Sequence, residues 1–152
     1  SKSLASLGGY MAASETVCDY VRHNSRPFIF SASIPPSACA VALAALRWLK
    51  AHPELPERLL SLSGYARAGL KKRGLSIRES LTPIIPIYTY QAENTLIKSK
   101  ELYDAGVYVN PVLPPATEPT ECLLRTSYMA THTEALLDEA MDIIREVLCD
   151  GK

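Results

Sequence analysis

Residues 121–133, ECLLRTSYMATHT, decide how the chain is read. Leu123, Leu124 and Tyr128 supply bulk at pleated spacing, so the segment opens as a strand. Strand alternation sets Leu123, Arg125, Ser127 and Met129 on one face and Leu124, Thr126 and Tyr128 on the other. Thr131 and Glu134 match the S/T-x-x-E capping box, which predicts a helix starting just after Thr131. Arg125 carries a charge that cannot be titrated away, so among apolar neighbours it needs an anion or several acceptors. A strand that delivers an arginine beside a helix N-terminus is suited to a carboxylate or a phosphate. The same guanidinium fits an internal salt bridge, and these residues alone leave both readings open.

Outward from this strand, residues 134–149 read as the final helix, with Leu136, Ala140, Ile143, Ile144 and Val147 as its buried stripe. Upstream, residues 110–120, NPVLPPATEPT, hold four prolines and read as a stiff, shaped surface loop. Residues 107–109 are a short strand, and 91–105 a helix closed by Gly106. Residues 82–90, TPIIPIYTY, form the clearest strand; Pro83 and Pro86 cannot donate to a ladder, so one side is an edge or a bulge. The resulting order, β-α-β-β-α, implies an α/β chain of the two-layer α+β kind. An antiparallel sheet of about three strands with its helices on one face buries both apolar sets.

Residues 57–72 read as a further helix, with Leu59, Leu62, Ala66 and Leu70 in line. Lys71, Lys72 and Arg73 complement its C-terminal dipole, and Gly74 ends it. Residues 37–50 form a helix that is apolar nearly all round, so it is expected to lie against other protein on most faces, with Trp48 packed. Pro36 suits its first position. Residues 28–33, FIFSAS, read as a buried strand ending in hydroxyls, and residues 14–23 as a helix with Val17, Tyr20 and Val21 on one stripe. In residues 1–13, SKSLASLGGYMAA, Lys2 stands between two serines, and Gly8-Gly9 lead into a short apolar strand. An amine here is either a Schiff-base nucleophile held partly desolvated or a solvated surface lysine.

Composition narrows the function classes. Sixteen basic residues balance sixteen acidic ones, so no nucleic-acid footprint is supported. The most apolar run, residues 37–46, is too short to span a bilayer, and no signal or transit pattern is visible, so no integral membrane segment is expected. Cys18, Cys39, Cys122 and Cys149 lack any C-x-x-C pairing, which disfavours a metal site and fits reduced thiols in a cytoplasmic protein.

Six blocks, SKSLASLGGYMAA, RPFIFSASIPP, TPIIPI, GVYVNPV, PPAT and LLRTSYMATHT, follow one another in this order. In that order they resemble the C-terminal part of the α-oxoamine synthases, pyridoxal-phosphate enzymes of the aminotransferase class I/II (fold-type I) architecture. The resemblance implies a homodimeric acyltransferase that condenses an amino acid with an acyl-CoA and releases carbon dioxide. By this resemblance Lys2 aligns with the lysine that carries pyridoxal 5'-phosphate and shuttles the α-proton. Ser31 aligns with a hydroxyl that reaches the cofactor phosphate of the neighbouring subunit, and Arg125 with the arginine that grips the substrate carboxylate. His132 is assigned a structural role at the helix start, and Gly8 and Gly9 are expected to let the backbone pass near the cofactor.

The resemblance also divides the chain. Residues 1–50 correspond to the end of the large cofactor-binding domain and its linking helix, and 51–152 to the C-terminal small domain. The opening Ser1-Lys2-Ser3 lacks methionine, so the chain is expected to be a fragment of a longer parent, inert by itself. The rival reading is a non-catalytic small-molecule-binding or assembly module built on the β-α-β-β-α core, which leaves Lys2 without a role.

Overall fold

A computed structural model describes residues 2–149. The chain divides into two compact units at Pro53/Glu54. The second holds every buried residue described, and it is built around three strands: β1 (Ile84–Tyr90), β2 (Asn110–Val112) and β3 (Cys122–Ser127). They form one antiparallel sheet in the order β1-β3-β2. The arginine strand is therefore the central one.

Alternation in β1 buries Ile85, Ile87 and Thr89 while Ile84 and Tyr90 stay exposed, as a sheet with one covered face requires. The edge position suits Pro86, and a register shift between Tyr88 and Tyr90 supplies the bulge. The outer edge of β1 is itself partly covered. Arg78 N–H donates to the Pro86 carbonyl at 3.0 Å and Tyr88 N–H to the Ser76 carbonyl at 2.8 Å.

Three helices cover the buried face: α4 (Glu54–Lys72), α5 (Ala92–Asp104) and α6 (Glu134–Cys149). Helix α5 packs on all three strands, α4 on β1, and α6 on both α4 and α5. The core joins Leu62, Ala66 and Leu70 of α4, Leu102 of α5, Leu137, Met141 and Ile144 of α6, and Ile85, Ile87 and Leu124 of the sheet. Both α4 and α5 end in Schellman geometry. Gly74 (φ +79°) and Gly106 (φ +91°) occupy the left-handed position. Leu75 N–H reaches the Leu70 carbonyl at 3.2 Å, and Val107 N–H the Leu102 carbonyl at 2.8 Å.

Four details of this unit correct the expectations. Helix α4 begins at Glu54 rather than 57, with Pro56 accommodated in its first turn. Strand β2 lies at 110–112, not 107–109, because the Val107 N–H is committed to closing α5. The Thr131–Glu134 box does not form; Thr133 Oγ1 accepts the Leu136 N–H at 3.3 Å, so α6 starts two residues later. The expected stripe of α6 keeps Ile144, with Ile143 and Val147 packed against the core, but runs through Leu137 and Met141 in place of Leu136, which is 51% exposed.

The first unit contains α1 (Glu15–Asn24), α2 (Arg26–Ile29) and α3 (Pro36–Ala51). None of its described residues is buried. FIFSAS is not a strand: Pro27 sits in the first turn of α2, Ser25 Oγ accepts the Phe28 N–H at 3.4 Å, and Phe30 is 79% exposed. No strand among the described residues pairs with it, and an unpaired apolar strand would leave its backbone groups unsatisfied. Residues 9–13 likewise form no strand. Helix α3 begins at Pro36 as expected; none of its residues is buried within this chain, and Val41, Leu43 and Leu46 are exposed. Trp48 is 63% exposed and its ring lies 4.1 Å from that of His52.

Candidate active site

On β3 the alternation holds from Leu124 onward, whereas Leu123, on the arginine's face, is buried as well. Cys122, Leu124 and Thr126 are buried, while Arg125 and Ser127 are exposed. Arg125 thus stands on the open face of the central strand, opposite Pro86 of β1 and Asn110 of β2 in the two ladders. Its Nη2 donates to Asn110 Oδ1 at 3.2 Å. Asn110 Nδ2 in turn donates to the Tyr108 hydroxyl, also at 3.2 Å. No carboxylate among the described residues pairs with Arg125, so the internal salt bridge is not what occupies it there. A guanidinium with five N–H donors and one neutral acceptor retains capacity for a bidentate anion.

The backbone under this arginine is pinned on the buried side. Thr126 Oγ1 donates to the Ile85 carbonyl at 2.7 Å, and the Tyr128 hydroxyl lies 3.1 Å from it, placed to donate to its lone pair. Burial raises the Tyr128 phenol above its ordinary range, so it stays neutral. After β3 the chain turns sharply. His132 N–H donates to the Met129 carbonyl at 3.1 Å, and Met129 N–H to His132 Nδ1 at 3.3 Å. Arg58 of α4 ties this turn down through the Ala130 carbonyl at 2.7 Å and the His132 carbonyl at 3.4 Å. His132 holds the turn before α6.

Lys2 and Ser31 belong to the first unit, and both are exposed. The Lys2 carbonyl accepts the Ala5 N–H at 2.9 Å, closing a turn; Ser1 lies outside the described residues. Ser31 follows the C-cap of α2, its N–H directed to the Phe28 carbonyl at 3.4 Å. Gly8 (φ +127°) is a position where a side chain would fail, since an added Cβ would come within 2.6 Å of Ile34 Cγ2.

A second polar cluster lies between α4 and α6. Arg73 Nε donates to Asp142 at 2.7 Å, and Tyr65 to Asp138 at 2.6 Å. Arg73 holds the Asp142 carboxyl below its ordinary range, chiefly through that hydrogen bond. The basic trio therefore divides: Arg73 clamps two helices, and Lys71 pairs with Glu79. Among the described residues no group of three or more His, Cys, Asp or Glu could hold a metal ion, and no helix is long and apolar enough to cross a membrane.

The family model for aminotransferase class I and II matches residues 1–144. The chain belongs to the aminotransferase class I and II family. Within it, the relatives are α-oxoamine synthases. A serine palmitoyltransferase of Bacteroides ovatus is 43% identical over 142 residues, 93% of this chain and 36% of that protein. A putative 8-amino-7-oxononanoate synthase 2 of Mycobacterium tuberculosis is 39% identical over 143 residues, 94% of this chain and 18% of its own length. Among solved structures, one of serine palmitoyltransferase with a pyridoxal-phosphate internal aldimine superposes with a TM-score of 0.85 at 33% identity. It covers 96% of this chain and 37% of that one. The chain therefore spans about a third of the length of the serine palmitoyltransferases it matches.

Asn110 is the residue that sequence reasoning missed. Placed in a proline-rich loop, it has no neighbour. The signal that could have found it is the strand partner it becomes once the sheet starts three residues later.

Proposed function

We propose that this chain contributes the substrate-carboxylate arginine and the cofactor lysine to a pyridoxal-phosphate-dependent acyltransferase. That enzyme, a homodimer in the cytoplasm, joins an amino acid to an acyl-CoA. A carbon–carbon bond forms between the amino-acid Cα and the acyl carbon, the CoA thiol departs, and the carboxylate leaves as carbon dioxide. In this reading residues 1–50 end the large domain and its linking helix, residues 51–152 make the small domain, and the rest of the machinery comes from a longer parent.

The observation that carries the proposal is Arg125: a fixed guanidinium on an open sheet face, with a neutral partner and unused donors. The residues present suit the cofactor chemically. Lys2 offers a primary amine to its aldehyde, Ser31 a hydroxyl to its phosphate across the subunit boundary, and Gly8 a backbone that no Cβ obstructs. Bound there, pyridoxal phosphate supplies the electron sink that stabilises negative charge at Cα. Arg125 holds the carboxylate by two parallel N–H···O bonds and so orients Cα, while Lys2 takes the proton from Cα and returns it after carbon dioxide is lost. Serine is the amino acid to try first, since several of the relatives are serine palmitoyltransferases.

The test is chemical. The full-length protein is incubated with pyridoxal phosphate, reduced with borohydride and digested, and the peptides are weighed. The expected outcome is a pyridoxyl mass on the peptide containing Lys2, absent in Lys2→Ala. Labelling confined to other lysines removes Lys2 from the site and favours the non-catalytic module.

A further inference from the structure

We propose that Asn110 is a positioning residue for Arg125: its side-chain carbonyl sets the guanidinium plane that receives the amino-acid carboxylate. The inference rests on the carboxylate-binding role proposed for Arg125 and goes beyond it by naming what holds that side chain. On the open face of the sheet, Arg125 has two lateral neighbours in register, Pro86 and Asn110. Pro86 offers no polar side chain, so Asn110 is the flank that can hydrogen-bond. It does so at 3.2 Å, Nη2 to Oδ1.

Three features make this more than an incidental surface contact. First, the two residues are ladder partners, so their Cα atoms are held by the same sheet that holds the core. Second, the amide is oriented from its other end, because Nδ2 donates to the Tyr108 hydroxyl at 3.2 Å, which turns Oδ1 toward the arginine. Third, the acceptor is neutral. An aspartate here would hold the guanidinium as firmly but would cancel its charge and compete with the incoming carboxylate. Asparagine restrains one N–H and leaves the positive charge and the other donors for substrate. An exposed arginine without such a partner must lose rotamer freedom each time it binds, and a pre-set one loses less.

Asn110→Ala, Asn110→Asp and Arg125→Lys in the full-length protein test this. The readouts are steady-state kinetics with palmitoyl-CoA saturating, using whichever of L-serine, L-alanine or glycine turns over fastest, and pyridoxal-phosphate content from absorbance. Asn110→Ala is expected to raise the amino-acid KM about five- to twentyfold, with kcat and cofactor content within about twofold of the parent. Asn110→Asp, which keeps the size and the acceptor, is expected to raise KM further than alanine does. A merely structural role predicts the opposite order, and loss of cofactor or kcat along with KM. If Asn110→Ala fails to fold, the isosteric aspartate variant carries the test alone. A KM within twofold of the parent for the asparagine variants, while Arg125→Lys raises it, overturns the positioning role and leaves the arginine's role standing. An unchanged KM in Arg125→Lys overturns that role itself.

Discussion

At the scale of single residues, Arg125 and Thr126 show how one strand serves two purposes on its two faces. Arg125→Lys keeps the charge but replaces a planar fork by a point charge that cannot make two parallel bonds. A loss of roughly 2–3 kcal/mol of charge-assisted bonding corresponds to an amino-acid KM about 30- to 150-fold higher, measured by initial rates. The neighbour on the covered face is a stability residue. Thr126→Val removes the donor to the buried Ile85 carbonyl without changing shape, so it is expected to cost about 1–3 kcal/mol in urea unfolding. Its KM should not move, provided the sheet still closes. Opposite outcomes for adjacent positions would separate the two faces cleanly.

At the scale of elements, the clamp between α4 and α6 has a defined pH response. Hydrogen bonding to Arg73 lowers the Asp142 carboxyl below its ordinary value of 3.8, so between the lowered and ordinary values the unfolded chain binds more protons than the folded one. That contribution is present in full above pH 3.8 and is lost as pH falls through the lowered value. Urea midpoints measured from about pH 2 to 6 should therefore fall less steeply at the acid end in Arg73→Gln than in the parent. The end of α4 supplies a second expectation. A methyl on Gly74 would meet nothing within 4 Å, so Gly74→Ala is a test of φ +79° alone, expected to cost about 1–2 kcal/mol. Gly74, Gly106 and the edge position of β1 were all legible in the sequence, because each depends on local chemistry that nothing distant overrides. The start of β2 and the start of α6 were not. Both hinge on competition for one backbone group: Val107 N–H between helix and ladder, and the α6 N-terminus between Thr131 and Thr133. FIFSAS was misread for a related reason, since apolar content signals burial only where a partner exists to bury it. Arg125 could be picked out as a candidate because charge in an apolar strand is visible in the letters, whereas Asn110 acquires its place only from register.

At the scale of the whole chain, stability should be distributed as unevenly as burial. Residues 54–149 hold the core, whereas none of residues 2–53 is buried. Helix α3 carries Val41, Leu43 and Leu46 in exposed positions, and a 16-residue helix without tertiary support is marginal in water. Local opening free energy follows buried contacts, so amide exchange should divide the chain at Pro53/Glu54. In hydrogen–deuterium exchange on the 152-residue chain, peptides from β3, α4 and α6 are expected to exchange at least roughly 100-fold more slowly than those from α1 and α3. This difference equals about 2.7 kcal/mol of opening free energy. Equal protection of α3 and β3 at low concentration would sink this picture, since α3 would then be covered within one molecule. Protection of α3 that grows with protein concentration would instead mean that a second copy covers its apolar residues.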